Sequence, residues 1–477
     1  MAGSSSSQSL RQELIVRIRP LFYFGSTGVG LSFLVLLASF GLWVVPSGSP
    51  SGHSRSLGLL KLSSSLDLVQ AQRGVVASPP PQLWNQRLGL APAQRLWKRL
   101  GSGLWWQGWT TDGQSYLILP STLFNPAEQA ALRAISVDGL LVVIADALHQ
   151  NQLSQRLQSQ TVRAPLPGGL VEACLQRLTS SPSVSWQPEA LVRLSGSVAP
   201  LLQQVRFGCL SFRTEGDRLQ WHGWGGLREF ASSPAKRKVN GAFVAPAQSF
   251  RTRRAQDKRR AVPSLLKLQG TRLSLLLGPL ASRAIIRTPL EQHYGIGRSQ
   301  LKALMDAPFE LHLVSSDAAV FSSGVQLLLK LPPDPTPWNR SLGVIAGRLR
   351  DQGLRRKNKN AQIWLDPAVG NGEVVGGWQL VSLPAGHQQL NVGLGVAPSK
   401  DSLTTRGFQL NPGVVLKLQA DGIALHERQL LPGRWPRTVQ NSNTVEFSLH
   451  RLMPDEPNTA EWFEIRGQLL LDSTDAT

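Results

Sequence analysis

The chain has 477 residues, of which 42% are hydrophobic and 17% charged, and its net charge is +20 at pH 7. That hydrophobic fraction is ordinary for globular proteins and excludes a wholly disordered chain. With two cysteines, the sequence also excludes a scaffold held together by many disulfides.

A long uncharged segment lies near the N-terminus. No charged residue occurs from Pro20 to Val45. A helix needs about 20 apolar residues to cross a bilayer core, whereas a secretory signal has roughly 7–15 followed by a small-residue cleavage site. The Ser/Gly/Pro-rich stretch 46–57 has no A-x-A pattern and is typical of a linker. The sequence therefore predicts an uncleaved transmembrane helix over residues 20–45, the alternative being a buried helix of a soluble protein.

Basic residues flank this segment on one side. Arg11, Arg17 and Arg19 precede it, and the first Lys or Arg after it is Arg55. Because basic flanks stay on the cytoplasmic side, residues 1–19 are predicted to be cytoplasmic. The rest of the chain is then expected on the far side of the membrane.

The pattern of apolar residues in the part predicted to be exported indicates an α+β fold rich in antiparallel sheet. We expect a first lobe over 58–230 and a second over 263–473, separated by a basic loop or disordered insertion at 231–262. Strands, helices and further strands succeed one another in both lobes, which allows two similar lobes.

Local signals predict individual elements. The Asn125-Pro-Ala-Glu128 sequence opens a helix expected to run through Leu132 and Ile135. Alternating polar and apolar residues around Gly216 predict a hairpin, and Asp421-Gly422 predicts another.

Two further elements follow from the pattern of apolar residues. A second helix is predicted after Pro167. Apolar residues alternate with polar ones at Phe309, Leu311 and Leu313 and again from Val325 to Leu331, which predicts two strands that pair with each other.

The positive charge is concentrated in two short segments. Residues 236–260 hold nine basic residues and one acid, and residues 348–359 hold six basic residues and one acid. We expect an anionic-surface site formed by Lys236, Arg237, Lys238, Arg251, Arg253, Arg254, Lys258, Arg259, Arg260, Arg355, Arg356 and Lys357. The alternative is a solvated segment that its charge keeps soluble.

The cysteines and tryptophans each allow two interpretations. Cys174 and Cys209 could form one disulfide in an exported domain, or remain buried thiols. The cluster Trp105, Trp106 and Trp109 is expected in a strand packed on both faces. Its alternative is an exposed aromatic surface for glycan or lipid.

No sequence motif identifies a catalytic, metal or cofactor site. The eight histidines are dispersed. Ser299 and Lys302 match the S-x-x-K pattern of penicillin-binding proteins, but the pairs Ser264/Lys267 and Ser233/Lys236 match it equally, and no S-D-N or K-T-G follows. We therefore expect no catalytic residue, metal or cofactor.

The short basic N-terminus, single predicted span, Ser/Gly/Pro exit and Trp- and Gln-rich α+β exterior resemble an uncharacterised group of cyanobacterial single-span membrane-anchored proteins. The resemblance covers overall organisation from residue 1 to 477. It implies a plasma or thylakoid membrane, with the bulk of the chain periplasmic or lumenal, and nothing about activity.

Three hypotheses for function follow. The favoured one is a non-catalytic anchored binding or scaffold protein that contacts an anionic lipid, an envelope polymer or a protein partner. The alternatives are a cell-envelope enzyme resembling a serine hydrolase and a lipid- or glycan-binding module. Nucleic acid is disfavoured as a partner because the basic residues are predicted outside the cytoplasm.

Overall fold

A computed structural model describes residues 53–159, 168–187, 190, 205–227, 264–316, 323–357, 362–367, 373–383, 386–398, 413–431, 437–452 and 462–471. The predicted cytoplasmic segment, the span over 20–45 and the basic segment 231–262 lie outside these residues. Among the residues described, no helix combines the length and the apolar character needed to cross a bilayer.

The first half of the chain alternates helices with short strands. Its strands are β1 (Leu68–Arg73), β2 (Leu104–Trp109), β3 (Ser115–Pro120), β4 (Ala134–Val137), β5 (Leu140–Val143), β6 (Ser183–Trp186), β7 (Val205–Glu215) and β8 (Arg218–Leu227). Its helices are α1 (His53–Ser65), α2 (Gln82–Leu88), α3 (Leu90–Leu100), α4 (Pro126–Ala130), α5 (Ala147–Gln158) and α6 (Gly168–Ser180), with a 3₁₀ turn at Ser121–Leu123.

The second half has ten described strands, most of them seven residues or longer. These are β9 (Ser264–Gly270), β10 (Phe309–Ser315), β11 (Ser323–Leu331), β12 (Arg355–Arg356), β13 (Gln362–Asp366), β14 (Glu373–Ser382), β15 (Gln388–Leu394), β16 (Val414–Ala420), β17 (Ser442–Leu452) and β18 (Trp462–Leu471). Its helices are α7 (Ser274–Ala281), α8 (Ala284–Tyr294), α9 (Arg298–Asp306), α10 (Thr336–Asp351), α11 (Gly422–Glu427) and α12 (Arg437–Gln440).

All these strands belong to one antiparallel sheet of 18 strands. The pairings place them in the linear order β4-β5-β3-β2-β1-β6-β7-β8-β18-β17-β16-β9-β10-β11-β15-β14-β13-β12. The predicted α+β fold with a large antiparallel sheet is confirmed. The two halves meet through β8 and β18 in the middle of the sheet.

The strand order of the first half recurs in the second. Counting outward from the junction, the first half reads β8, β7, β6, β1, β2, β3, β5, β4, and the second reads β18, β17, β16, β9, β10, β11, β15, β14. Each strand has one counterpart at the same place in chain order, once β12 and β13 are set aside as additions at the edge. A duplicated unit predicts this arrangement.

The junction itself is symmetric. His222 on β8 lies opposite Arg466 on β18, and on either side of this pair Trp221 lies opposite Gly467 and Gly223 opposite Ile465. The segments Trp221-His222-Gly223 and Ile465-Arg466-Gly467 thus exchange places under a two-fold rotation. Antiparallel pairing of equivalent strands is what such a rotation produces.

Helices cover both faces of the first half. Leu59 of α1 and Leu178 of α6 pack on one face with Trp106, whereas Trp84 of α2 and Trp97 of α3 pack on the other with neighbouring strand residues. In the second half, α7, α9, α10, α11 and α12 contribute to a core on one face that includes Phe309. The opposite face of this half carries the polar residues considered below.

Several sequence predictions require correction. The capping box at Asn125 and Glu128 is present, but α4 ends at Ala130 because Ile135 belongs to β4. Asp421-Gly422 is not a hairpin turn, because the Asp421 side chain accepts the Ala424 N–H and caps α11. Helix α1 begins at His53, inside the predicted linker 46–57. The predicted hairpins β7–β8 and β10–β11 are confirmed.

Candidate functional site

One face of the second half of the sheet is polar. Along β9, β10, β16, β17 and β18 most apolar residues are buried, and most of the polar residues between them are partly or fully exposed, as strand alternation requires. We define the polar face as Lys267, Gln269, Glu310, His312, Lys417, Gln419, Glu446, Ser448, His450, Glu464, Arg466 and Gln468.

Glu310 lies at the centre of one cluster on the polar face. Its Oε1 is 2.8 Å from Lys267 Nζ and 2.6 Å from His312 Nε2, and its Oε2 accepts a 3.0 Å hydrogen bond from Gln269. Burial raises the pKa of Glu310, but the hydrogen bonds from His312, Lys267 and Gln269 outweigh it and lower the pKa to about 2. The carboxylate is therefore ionised at neutral pH and acts only as an acceptor.

Ser264 contacts the same histidine from the other side. Its Oγ lies 3.4 Å from His312 Nδ1 and donates a 3.0 Å hydrogen bond to the Leu266 carbonyl. The register between β9 and β10 shifts at this point, so that Leu313 faces Leu266 and Val314 faces Ser264. The extra residue, Leu265, is buried in the core like Leu266. A bulge of this kind reverses the alternation, so the Ser264 side chain lies on the same side of the sheet as the polar face instead of in the core.

A second cluster joins the two halves of the sheet. His222 Nε2 lies 2.5 Å from Glu464 Oε1, and Arg466 Nη2 donates to Glu464 Oε2 at 2.8 Å. Burial raises the pKa of Glu464, but hydrogen bonds from His222 and Arg466 lower it to about 2. Ionised Glu464 thus accepts hydrogen bonds from His222 of the first half and from Arg466 of the second half.

Arg177 of α6 completes this second cluster. Its guanidinium lies 4.0 Å from the Trp224 ring centroid, hydrogen-bonds Ser211 and donates to the His222 carbonyl. Its Nη2 is 2.7 Å from His222 Nδ1. Arginine cannot accept a hydrogen bond, so Nδ1 is the acceptor and the His222 proton resides on Nε2, facing Glu464. Both ring nitrogens of His222 are therefore occupied.

His450 forms a third, simpler pair. Its Nε2 lies 3.1 Å from Ser448 Oγ. Burial and the nearby Arg466 charge lower the pKa of His450, and the charge of Glu464 on the neighbouring strand opposes that shift. Among the described residues no carboxylate lies within ion-pair distance of it.

The predicted basic site is divided by the structure. The nine basic residues from Lys236 to Arg260 lie outside the described residues. Arg355 and Arg356 form the edge strand β12, and Lys357 follows them; all three are exposed. Arg348 and Arg350, in the last turn of α10, are exposed as well.

The tryptophan cluster is not an exposed aromatic surface. Trp105 and Trp106 are each 1% exposed, and they enter different cores on the two faces of β2. Trp109 is partly buried against a core cluster that includes residues of both halves, such as Leu68 and Phe309. The prediction of a strand packed on both faces is confirmed, and the alternative of a glycan or lipid surface at Trp105 and Trp106 is wrong.

Cys174 of α6 and Cys209 of β7 form a disulfide, with Cα atoms 5.6 Å apart, and no free cysteine remains. Both residues are buried. A cavity of about 50 Å³ lies beside the bridge, between α1, α6 and the sheet, with Leu60, Leu175 and Phe207 in its lining. Ligand pockets measure roughly 300–1,000 Å³, so this cavity is too small for a drug-sized ligand.

The S-x-x-K pairs differ in their surroundings. Ser299 and Lys302 are both exposed on α9. Ser264 and Lys267 meet at the Glu310 cluster, whereas Ser233 and Lys236 lie outside the described residues. Among the residues described, no group of three or more His, Cys, Asp or Glu side chains could hold a metal ion.

Sequence reasoning missed both clusters on the sheet. The chain separates His222 from Glu464 by 242 residues and Ser264 from His312 by 48. The local signals in the sequence are the Ser264/Lys267 pair and the Glu310-x-His312 spacing, since residues two apart on a strand share a face. Neither signal shows that the two segments meet.

Comparisons with protein-family models, curated proteins and solved structures found no match.

Proposed function

We propose that this protein is a membrane-anchored binding or scaffold module whose exported part contacts an anionic surface. Residues 20–45 would form the anchor and residues 1–19 the cytoplasmic end. Support for the anchor is the uncharged segment and its one-sided basic flank. The folded sheet would then lie periplasmic or lumenal.

The observation that carries the binding role is a group of five exposed basic residues, which we call the basic edge. They lie in the last turn of α10, on the edge strand β12 and directly after it. Arg348, Arg350, Arg355, Arg356 and Lys357 are exposed within ten residues, with Asp351 as the only acid among them. Cations at the end of α10 complement the helix dipole for a few tenths of a kcal/mol each, and basic residues on an edge strand oppose sheet-to-sheet aggregation. Neither effect requires five bases together.

An anionic surface provides a larger energy. A basic residue near an anionic bilayer contributes about 1 kcal/mol. Engagement of half of these five residues would supply about 2–3 kcal/mol, which is roughly 30- to 150-fold in affinity. The anchor keeps the edge close to the membrane and raises the effective concentration of lipid around it.

Orientation is tested in sealed membranes that carry the full chain with a C-terminal tag. Protease added on the exported side should remove the tag and leave a small N-terminal fragment, because the chain beyond about residue 47 is accessible there. Loss of the tag only when protease is added on the cytoplasmic side would contradict the proposed topology.

The anionic contact is tested with the full chain in neutral-lipid nanodiscs, captured by its tag and exposed to vesicles. Vesicles that contain phosphatidylglycerol should bind at 50 mM salt and dissociate at 300 mM, and purely zwitterionic vesicles should not bind. Replacing the five edge bases by Gln should weaken binding at least tenfold.

A matched control replaces five exposed basic residues elsewhere, namely Arg95, Lys98, Arg283, Arg298 and Lys302. It should bind within about twofold of the natural chain, because its net charge falls equally but the edge is intact. A third variant neutralises the nine bases from Lys236 to Arg260. Equal binding by the edge variant and the control would refute the role of the edge, and absence of binding at low salt would refute the anionic-surface function.

A further inference from the structure

Three histidines lie in the polar clusters on the sheet, and they differ in which groups contact their ring nitrogens. Arg177 and Glu464 occupy both nitrogens of His222. His450 contacts Ser448, but no described carboxylate lies within ion-pair distance of it. His312 alone of the three lies between a serine hydroxyl and a carboxylate.

The protonation pattern of His312 follows from its partners. Ionised Glu310 can only accept a hydrogen bond, so the proton of the neutral imidazole resides on Nε2. The lone pair of Nδ1 then faces Ser264 Oγ across 3.4 Å. Hydrogen bonds of catalytic groups are often long without substrate. Rotation of the Ser264 hydroxyl away from the Leu266 carbonyl directs its proton to this lone pair, and a histidine so placed can take the proton of a serine.

Neighbouring groups hold the carboxylate in place. Lys267 Nζ and Gln269 Nε2 bind the two oxygens of Glu310, and the Glu310 side chain is only 12% exposed. Ser264, in contrast, is exposed where β9 begins. The Glu310 carboxylate is therefore fixed, and the Ser264 hydroxyl is accessible. The bulge at Leu265 brings this hydroxyl to the side of the sheet that carries Glu310 and His312.

We propose that Ser264, His312 and Glu310 form a hydrolytic site for short-chain carboxylic esters, with Ser264 as nucleophile, His312 as general base and Glu310 as the group that orients and stabilises His312. Lys267 and Gln269 are positioning residues, because they act through Glu310. This site is independent of the basic edge and of the anchor.

The reaction needs no cofactor. Ser264 Oγ attacks the ester carbonyl carbon while its proton passes to His312 Nδ1, and the tetrahedral intermediate breaks its bond to the alcohol, which leaves with that proton. Water then attacks the acyl-serine, His312 takes a proton from it, and collapse releases the carboxylic acid and returns the proton to Ser264. Glu310 remains ionised and stabilises the imidazolium in both steps.

The position of Ser264 indicates the substrate class. Ser264 is exposed where β9 begins, so a short acyl group, which needs no deep pocket, can reach its hydroxyl while a bulky alcohol remains in solvent. The site therefore fits a short acyl group, such as acetyl, carried by a large alcohol.

The test uses the full chain in mild detergent with a fluorophosphonate probe, followed by mass mapping of the labelled residue. Ser264 should be labelled, and p-nitrophenyl acetate should be hydrolysed at the same site. Ser264→Ala should abolish both signals, and His312→Gln should slow labelling about a hundredfold. Since Ser264 is exposed, the Ala variant should keep the thermal transition of the natural chain.

The chain supplies its own control in the second Ser–His pair. Ser448→Ala should label and hydrolyse within about twofold of the natural chain, because His450 has no carboxylate partner among the described residues. Absence of label on Ser264 in the folded natural chain, equal labelling of Ser264 and Ser448, or undiminished labelling in His312→Gln would each overturn the proposal.

Discussion

Arg177 shows how much of this molecule depends on single polar side chains. It is one residue of a helix that the sequence predicted after Pro167, yet its contacts reach Ser211, His222 and Trp224 on two strands. Burial lowers the pKa of Arg177, and the Glu464 charge opposes that shift. The helix was predictable from local signals, but the partners were not, because they lie 34 and 45 residues further along the chain.

Replacing Arg177 by Lys should destabilise the fold in spite of the conserved charge. A lysine cannot stack a planar group on Trp224 while donating to both Ser211 and His222, so at least one buried group loses its partner. The expected loss is about 1–3 kcal/mol in the free energy of unfolding, measured by denaturant titration at pH 7. Arg213→Lys is the matched control, since Arg213 is 75% exposed and pairs only with Glu215 among the described residues. An equal loss in both variants would contradict the role assigned to Arg177.

At the level of elements, the alternation of apolar and polar residues predicted strands reliably. Residues that favour turns were ambiguous, because the same residues also begin helices. The hairpins β7–β8 and β10–β11 were predictable because each strand has one buried and one solvated face. Asp421-Gly422 misled because aspartate favours both turns and helix N-caps, and here it caps α11. The clusters on the polar face could not be predicted, because pairing of distant strands and the bulge at Leu265 decide which side chains meet.

Two glycine substitutions should act in opposite directions. A Cβ at Gly467 would overlap the Trp221 ring across the β8–β18 junction, whereas a Cβ at Gly343, inside α10, would meet no atom within 4 Å. Gly467→Ala should therefore lower the melting temperature, with an overpacking cost of about 1–3 kcal/mol. Gly343→Ala should raise stability by up to about 1 kcal/mol, because alanine is the better helix residue. If Gly467→Ala were as stable as the natural chain, the junction would not be packed as described.

For the whole molecule, the sequence predicted the fold class and a recurring succession of elements, but not that both halves share one sheet. Two lobes and one continuous sheet have the same local patterns, and only the pairing of β8 with β18 distinguishes them. Symmetry explains the pairing: β8 and β18 are equivalent strands at the end of each half, so their exposed edges are alike. Two such edges can pair antiparallel about a two-fold axis.

This pairing also sets the order of events during synthesis. The partner of His222 of β8 is Glu464 of β18, which is synthesised 242 residues later. Strand β8 therefore lacks its neighbouring strand until then. At about 5–20 residues per second, the ribosome takes roughly 10–50 s to supply them. During that time β8, ten residues long, is a free strand edge that other chains could join. A chain that stops before Trp462 would keep this edge open, so truncation near one end of the sequence would divide the sheet at its middle.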